Sequence, residues 1–199
     1  MIVMLKSLYL LVLRLNHRCL SKVSMLMLAA LLSACATLPP AEPVTEPVVR
    51  VTETNNELAQ VASALRANRD NHTGIYPLSD SHDSFAARAR LIQAAEHTLD
   101  LQYYIWHNDV AGQLLAHALT QAADRGVKVR LLLDDNNTNG LDALMLRLDA
   151  HPNIQVRLFN PFVNRKFRFM GYLTEFKRLN RRMHNKAFIV DQQAAILGG

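Results

Sequence analysis

Cysteine is nearly absent: the 199 residues hold two, Cys19 and Cys35, both within the first forty. The globular part of the chain therefore has no disulfide and no thiolate metal site. A spanning run is missing as well, because the apolar segment 23–32 falls short of the roughly 20 residues that cross a bilayer. No Gly-rich phosphate loop, dinucleotide fingerprint, nucleophile elbow or internal repeat occurs. Disorder is excluded by composition, since half the residues are hydrophobic and a fifth are charged, which suits one globular domain with a real core. The formal net charge of +5 suggests an anionic partner, whether phosphate, nucleic acid or an acidic lipid surface.

The N-terminus reads as an address. Arg14, Arg18 and Lys22 precede the apolar run, which ends in Leu32-Ser33-Ala34-Cys35. A basic segment, a short apolar segment and small residues before a cut are the parts of an export signal. This ending resembles a bacterial lipoprotein signal, in which the cysteine becomes the lipid-modified first residue. Cys35 is thus the expected lipidation site. Ala36 stands where an inner-membrane retention Asp would, so the resemblance implies a lipid anchor in the outer membrane, facing the periplasm. An uncleaved signal anchor is the alternative, and the extra apolar stretch 2–13 is unusual for a signal. Residues 36–56 combine prolines with Glu and Thr and read as an extended tether. The expected divisions are a signal over 1–35, the tether over 36–56 and a globular domain over 57–199.

Within that domain the periodicity alternates between helix and strand. Leu58, Val61 and Leu65 form one helical stripe, and Phe85, Ala89, Ile92 and Ala95 a second, entered through Ser79-Asp80-Ser81. Leu99 to Trp106 alternates and is rich in aromatics, as a strand is. Asp109 should cap a helix carrying Leu114, Leu115, Ala118 and Ala122, which Gly126 ends. Val127 to Leu133 turns continuously apolar, as a strand buried on both faces would. Leu141, Leu144, Met145 and Leu148 give a further helix, and Ile154 to Phe159 a further strand. This order argues for an α/β fold, a mixed sheet with helices on both faces. Residues 161–182 mix basic and aromatic side chains and fit no regular element. His184 to Val190 reads as a strand, Asp191-Gln192-Gln193 as a tight turn, and Ala194 to Leu197 as its return.

The chemistry concentrates in His184, Lys186 and Asp191, a His-x-Lys-x4-Asp pattern that chance should place in on the order of one in a hundred chains of this size. Residues two apart on a strand face the same side, roughly 6.6 Å apart, so His184 and Lys186 can address one phosphate. A phosphodiester repels an anionic nucleophile, whereas a neutral imidazole attacks without that penalty. Lysine stabilises charge on the equatorial oxygens, and the leaving alkoxide needs a general acid on the opposite side. One His–Lys pair cannot serve as both, so a second imidazole is required.

These residues, with Leu99-Asp100-Leu101-Gln102-Tyr103-Tyr104, Arg125-Gly126-Val127-Lys128-Val129-Arg130-Leu131-Leu132-Leu133-Asp134-Asp135 and the Gly198-Gly199 tail, resemble the first catalytic half of a two-motif phospholipase D-superfamily enzyme. Asn136-Asn137-Thr138, Phe159-Asn160-Pro161-Phe162 and the run Leu179 to Lys186 are most similar to lipoprotein-type cardiolipin synthases. The resemblance implies a phospholipase D-like sandwich of which only the first, truncated half is present, and no metal or cofactor. It makes His184 the nucleophile, Lys186 a phosphate ligand, and Asp191 a residue that holds local structure rather than touching substrate. Arg181, Arg182 and Asn185 are secondary candidates for substrate binding. It further implies phosphatidyl transfer between membrane phospholipids through a phosphohistidine, with an anionic phospholipid surface as partner. The missing half, or a homodimer partner, would complete the site, and the chain alone is expected to be an inactive fragment that folds poorly or aggregates. The alternative is a single-motif nuclease that completes its site by dimerising, although nucleic acid is the less favoured partner.

Other residues carry less. Asp134-Asp135 can be drawn as a metal-binding pair, but hydrated acids at a strand end are the plainer reading. His97, His107 and His117 recur at a spacing that neither helix nor strand brings onto one face. The stretch 161–182 suits anionic headgroups, or stacked bases of single-stranded nucleic acid, or a solvated loop with some core aromatics.

Overall fold

A computed structural model describes residues 22–25, 56–67 and 72–198. Residues 22–25 form an exposed helical turn in a unit of their own, 1–41. Cys35, the expected cleavage point, the tether up to residue 55 and Gly199 lie outside the described residues. No helix among those described is long and apolar enough to cross a membrane.

The rest is an α/β unit. In chain order it runs α1 (Glu57–Arg66), α2 (Ser81–Ala94), β1 (Thr98–Tyr103), α3 (Val110–Asp124), β2 (Lys128–Asp134), α4 (Asp142–Asp149), β3 (Ile154–Phe159), α5 (Arg168–Thr174), α6 (Phe176–Leu179), β4 (Ala187–Val190) and β5 (Ala194–Leu197). Local chemistry fixes several boundaries. Asp80 and Asp109 accept the orphan amides at the starts of α2 and α3. Asn56, placed by sequence at the end of the tether, is instead buried and caps α1 through the Ala59 amide at 2.6 Å. Gly126 follows α3 with φ +99°, a conformation that a side chain disfavours. Gly112 is needed for space, because a Cβ there would lie 2.0 Å from the His107 carbonyl oxygen.

The sheet order is β3-β2-β1-β4-β5. Strands β1, β2 and β3 are parallel neighbours, and β4 runs antiparallel to both β1 and β5. Both crossovers, β1-α3-β2 and β2-α4-β3, step in the same direction, and right-handed connections then put α3 and α4 on the same face. The core agrees. Leu99, Leu101, Val129, Leu131, Leu133, Phe188 and Val190 are buried in one cluster with Ile92, Leu119, Ala122 and Met145 from the helices. Each such large side chain contributes about 1.5–3 kcal/mol on burial.

Alternate positions behave differently. Asp100, Gln102, Arg130, Leu132, Gln155 and Arg157 share the opposite face and are only partly buried. There Arg130 Nη2 donates to Asp100 Oδ2 at 2.7 Å, and that hydrogen bond holds the guanidinium pKa above its ordinary value. The mixed sheet is as expected, but among the described residues its tight burial is one-sided. The apolar run of β2 does not make it a strand buried on both faces, because Leu132 looks out beside Arg130 and Arg157. Strand β5 closes one edge, with Leu197 exposed at 72%.

Candidate active site

Because β4 is antiparallel to β1, the chain that enters β4 sits beside the carboxyl end of β1. Pairing stops at Gln102 with Ala187, so His184, Asn185 and Lys186 precede the strand instead of lying on it. The shared face expected from strand pleating is therefore not what brings the pair together. Tyr104 does so, one residue beyond β1. The His184 ring lies 4.3 Å from the Tyr104 ring, centroid to centroid, tilted by 39°. Lys186 Nζ lies 5.8 Å from the same ring centroid. One aromatic ring thus orients the imidazole and attracts the ammonium through its π face. Asn137 Nδ2 donates to the Tyr104 carbonyl at 3.1 Å and fixes the loop. His184 is exposed and Lys186 half-buried, so both can reach a ligand over the carboxyl ends of the parallel strands, where open α/β sheets place their ligands.

Asp191 stands elsewhere. Strand β4 separates it from Lys186 by at least about 10 Å, and it lies by Thr98, at the opposite end of β1. Its side chain is fully buried. Oδ1 accepts the amides of His97 at 2.8 Å and Thr98 at 2.7 Å, while Oδ2 accepts Glu96 N at 2.9 Å and Asn56 Nδ2 at 3.1 Å. Asp191 and Gln192 have φ of 49° and 57°, and Gln193 N donates to the Val190 carbonyl, which makes a mirror-image hairpin turn. The carboxylate is therefore a knot joining this turn, the entry to β1 and the cap of α1.

The pair Asp134-Asp135 departs from its sequence reading. Both side chains are fully buried rather than hydrated. Asp134 Oδ2 accepts the Met183 amide at 2.8 Å, and Oδ1 accepts Arg182 Nη1 at 3.1 Å. Asp135 Oδ2 accepts the Phe162 amide at 2.8 Å, and Oδ1 is bound by the guanidinium of Arg165. Through these bonds the end of β2 holds the segment that leads into His184. Arg182 Nη1 serves that clamp, and the guanidinium lies 5.2 Å from the Phe162 ring centroid with the side chain 11% exposed. Its Nη2 is buried with no hydrogen-bond partner among the described residues. Arg181 and Asn185 are exposed beside the motif. Residues 161–182, expected to lack regular structure, contain α5 and α6. Of their apolar side chains only Leu179 is fully buried, so no repeated stripe aimed at the core marks them as helical. No group of three or more His, Cys, Asp or Glu among the described residues is placed to hold a metal ion.

The sequence reading singled out His184 and Lys186, and missed Tyr104 and Asp134 as site residues. Tyr104 was visible only as one aromatic of an aromatic strand. Asp134 stood out only as half of an acidic pair, because the partners that give it its role lie 48 and 49 residues further on.

Comparison with known proteins identifies the family. The family described as "Cardiolipin synthase, PLD-like domain" matches residues 89–199. Cardiolipin synthase C of Escherichia coli is 57% identical over 142 residues, covering 71% of this chain and 30% of that protein. An uncharacterized Helicobacter pylori protein is 41% identical over 140 residues, covering 69% and 28%. Cardiolipin synthase 1 of Bacillus cereus is 33% identical over 122 residues, covering 61% and 22%. The chain spans under a third of the length of these relatives. Among solved structures, NucT from Helicobacter pylori aligns with a TM-score of 0.43 at 20% identity, over 59% of this chain and 65% of that one. With more than half of its residues matched, and the His184–Lys186 pair inside the match, the chain belongs to the PLD-like domain family of cardiolipin synthases.

Proposed function

We propose that this chain supplies one half of a phosphatidyl-transfer site acting on membrane phospholipids. The observation that carries the reading is the convergence of His184 and Lys186 on the Tyr104 ring, at the open carboxyl end of the sheet. A ring nitrogen of His184 forms a bond to phosphorus while the P–O bond to the leaving alcohol breaks. Lys186 compensates the charge on the equatorial oxygens, and an acid on the far side protonates the alkoxide. An acceptor hydroxyl then gives up its proton and attacks phosphorus as the P–N bond breaks. A lipid hydroxyl as acceptor yields a cardiolipin-like product, and water yields phosphatidic acid.

The pattern His-x-Lys occurs once in the sequence, so the opposing acid has to come from a second half or a second copy, and the chain alone is inactive. The relatives named cardiolipin synthase support the lipid substrate. A lipid anchor at Cys35 in the outer membrane, facing the periplasm, belongs to the same proposal.

The test is an assay of membranes expressing the chain with its completing half, given labelled phosphatidylglycerol. Cardiolipin formation that disappears with His184→Ala is the expected result. Cleavage of single-stranded DNA with no lipid turnover would favour the dimeric nuclease instead.

A further inference from the structure

The cations of residues 164–182 fall into two groups. Arg165, Arg168, Arg178 and Arg182 are bonded to Asp135, the Asp135 carbonyl, Glu175 with Asn160, and Asp134 respectively. Lys166, Lys177 and Arg181 are exposed, and no ion pair engages them among the described residues. Glu175, the one acid in this stretch, is taken by Arg178 Nε at 2.6 Å. The outward face is therefore purely cationic.

Its apolar content is as unusual as its charge. Leu173 is 74% exposed, Phe169 63%, Phe176 60% and Phe167 57%. Four large apolar side chains left exposed within residues 167–176 mark an interaction surface. Gly171 lets α5 lie close on its neighbours, since a Cβ there would meet Leu179 Cδ1 at 2.8 Å and Phe162 Cδ1 at 3.2 Å. The two short helices are thus held against the body with their aromatic sides out. Beside them, Phe176, Lys177, Arg178 and Arg181 line a concavity of about 350 Å³.

We infer that the face made by α5, α6 and the exposed Lys166, Lys177 and Arg181 docks the protein onto an anionic phospholipid bilayer. Aromatics and leucine enter the headgroup boundary while the lysine and arginine heads meet lipid phosphates. A protein partner fits less well, because the cores of protein interfaces are depleted in lysine and other charges. The placement also serves the chemistry. Asp134 holds both Arg182, at the end of this segment, and the Met183 amide, next to His184, so the docking segment is tied to the one that carries the reacting histidine. The inference rests on the membrane substrate of the proposed function, yet docking needs no turnover.

The experiment places a tryptophan at Leu173 in the full chain, with Cys35→Ser so that no acyl anchor contributes and His184→Ala so that no lipid is consumed. Vesicles of phosphatidylcholine with one part in four phosphatidylglycerol carry brominated acyl chains. The emission that Leu173→Trp adds to that of the buried Trp106 should shift to the blue and be quenched by bromine. A Leu146→Trp control, at a site 70% exposed on α4, should not respond. Replacing Lys166, Lys177 and Arg181 by Gln should require on the order of a hundredfold more lipid for half-quenching. Leu173→Trp left open to aqueous acrylamide on vesicles overturns the inference. So does shielding without lipid that grows with protein concentration, which would assign the face to a second copy. Quenching here, with no transfer by the completed enzyme that keeps His184, sinks only the functional reading.

Discussion

The Asp191 carboxylate accepts the Thr98 amide at 2.7 Å across 93 residues of chain, tying the last residue of the motif to the first residue of β1. His184 and Lys186 lie at the far end of the same pair of strands. The motif is therefore one sequence unit divided between two tasks, with reaction at one end of β4 and attachment at the other.

That division predicts how Asp191 variants fail. Asp191→Ala leaves three backbone amides and Asn56 Nδ2 without an acceptor, at roughly 1–3 kcal/mol each for those that water cannot reach. Asp191→Asn should be nearly as damaging, because either amide orientation sets an NH2 against two donors. Both variants should unfold at markedly lower urea concentration. Their activity should return in part with a stabilising osmolyte, whereas that of His184→Ala should not.

Asp134 should act on turnover through position. Asp134→Asn weakens the hold on Arg182 and on the Met183 amide, so His184 is presented less accurately. A misplacement near 1 Å can cost about a hundredfold in rate. The expected result in the completed enzyme is a fall in kcat of that order with KM little changed. An equal fall for every variant that lowers the melting temperature by the same amount would reduce Asp134 to a stability residue.

Tyr104 offers a cleaner separation, because His184 and Lys186 meet its ring and not its hydroxyl. Tyr104→Phe should keep activity within about twofold. Tyr104→Ala should lose up to about tenfold, the worth of an aromatic contact, with the melting temperature serving as control.

Gly112 supplies a prediction about packing alone. Its missing Cβ would meet a backbone oxygen at 2.0 Å, and backbone cannot rotate away as a side chain can. Gly112→Ala should lower stability by about 1–3 kcal/mol, read as a shift in the denaturation midpoint.

How much of this was legible in sequence follows from how local each cause is. Strand β3 runs from Ile154 to Phe159 as periodicity predicts, and the Asp80 and Asp109 caps are set by amides within three residues. Strand β1 stops at Tyr103 rather than Trp106, because Tyr104 leaves the sheet to meet His184. The expected strand at His184 begins only at Ala187, since Asp134 draws Met183 away from the ladder. Helices α5 and α6 are short, and Leu179 is the one fully buried apolar residue they carry, too little for a periodic stripe. For the end of β1 and the approach to β4 the deciding partner lies tens of residues away, and pattern reading has no access to such partners.

The central claim is that His184 carries the phosphatidyl group. The direct measurement is peptide mass spectrometry of the completed enzyme, quenched in acid-free conditions during turnover of phosphatidylglycerol. A mass increment equal to a phosphatidyl group on the peptide holding His184, chased away by excess acceptor, is the predicted result. Steady cardiolipin formation with His184 never modified, or persisting in His184→Asn, would contradict the account.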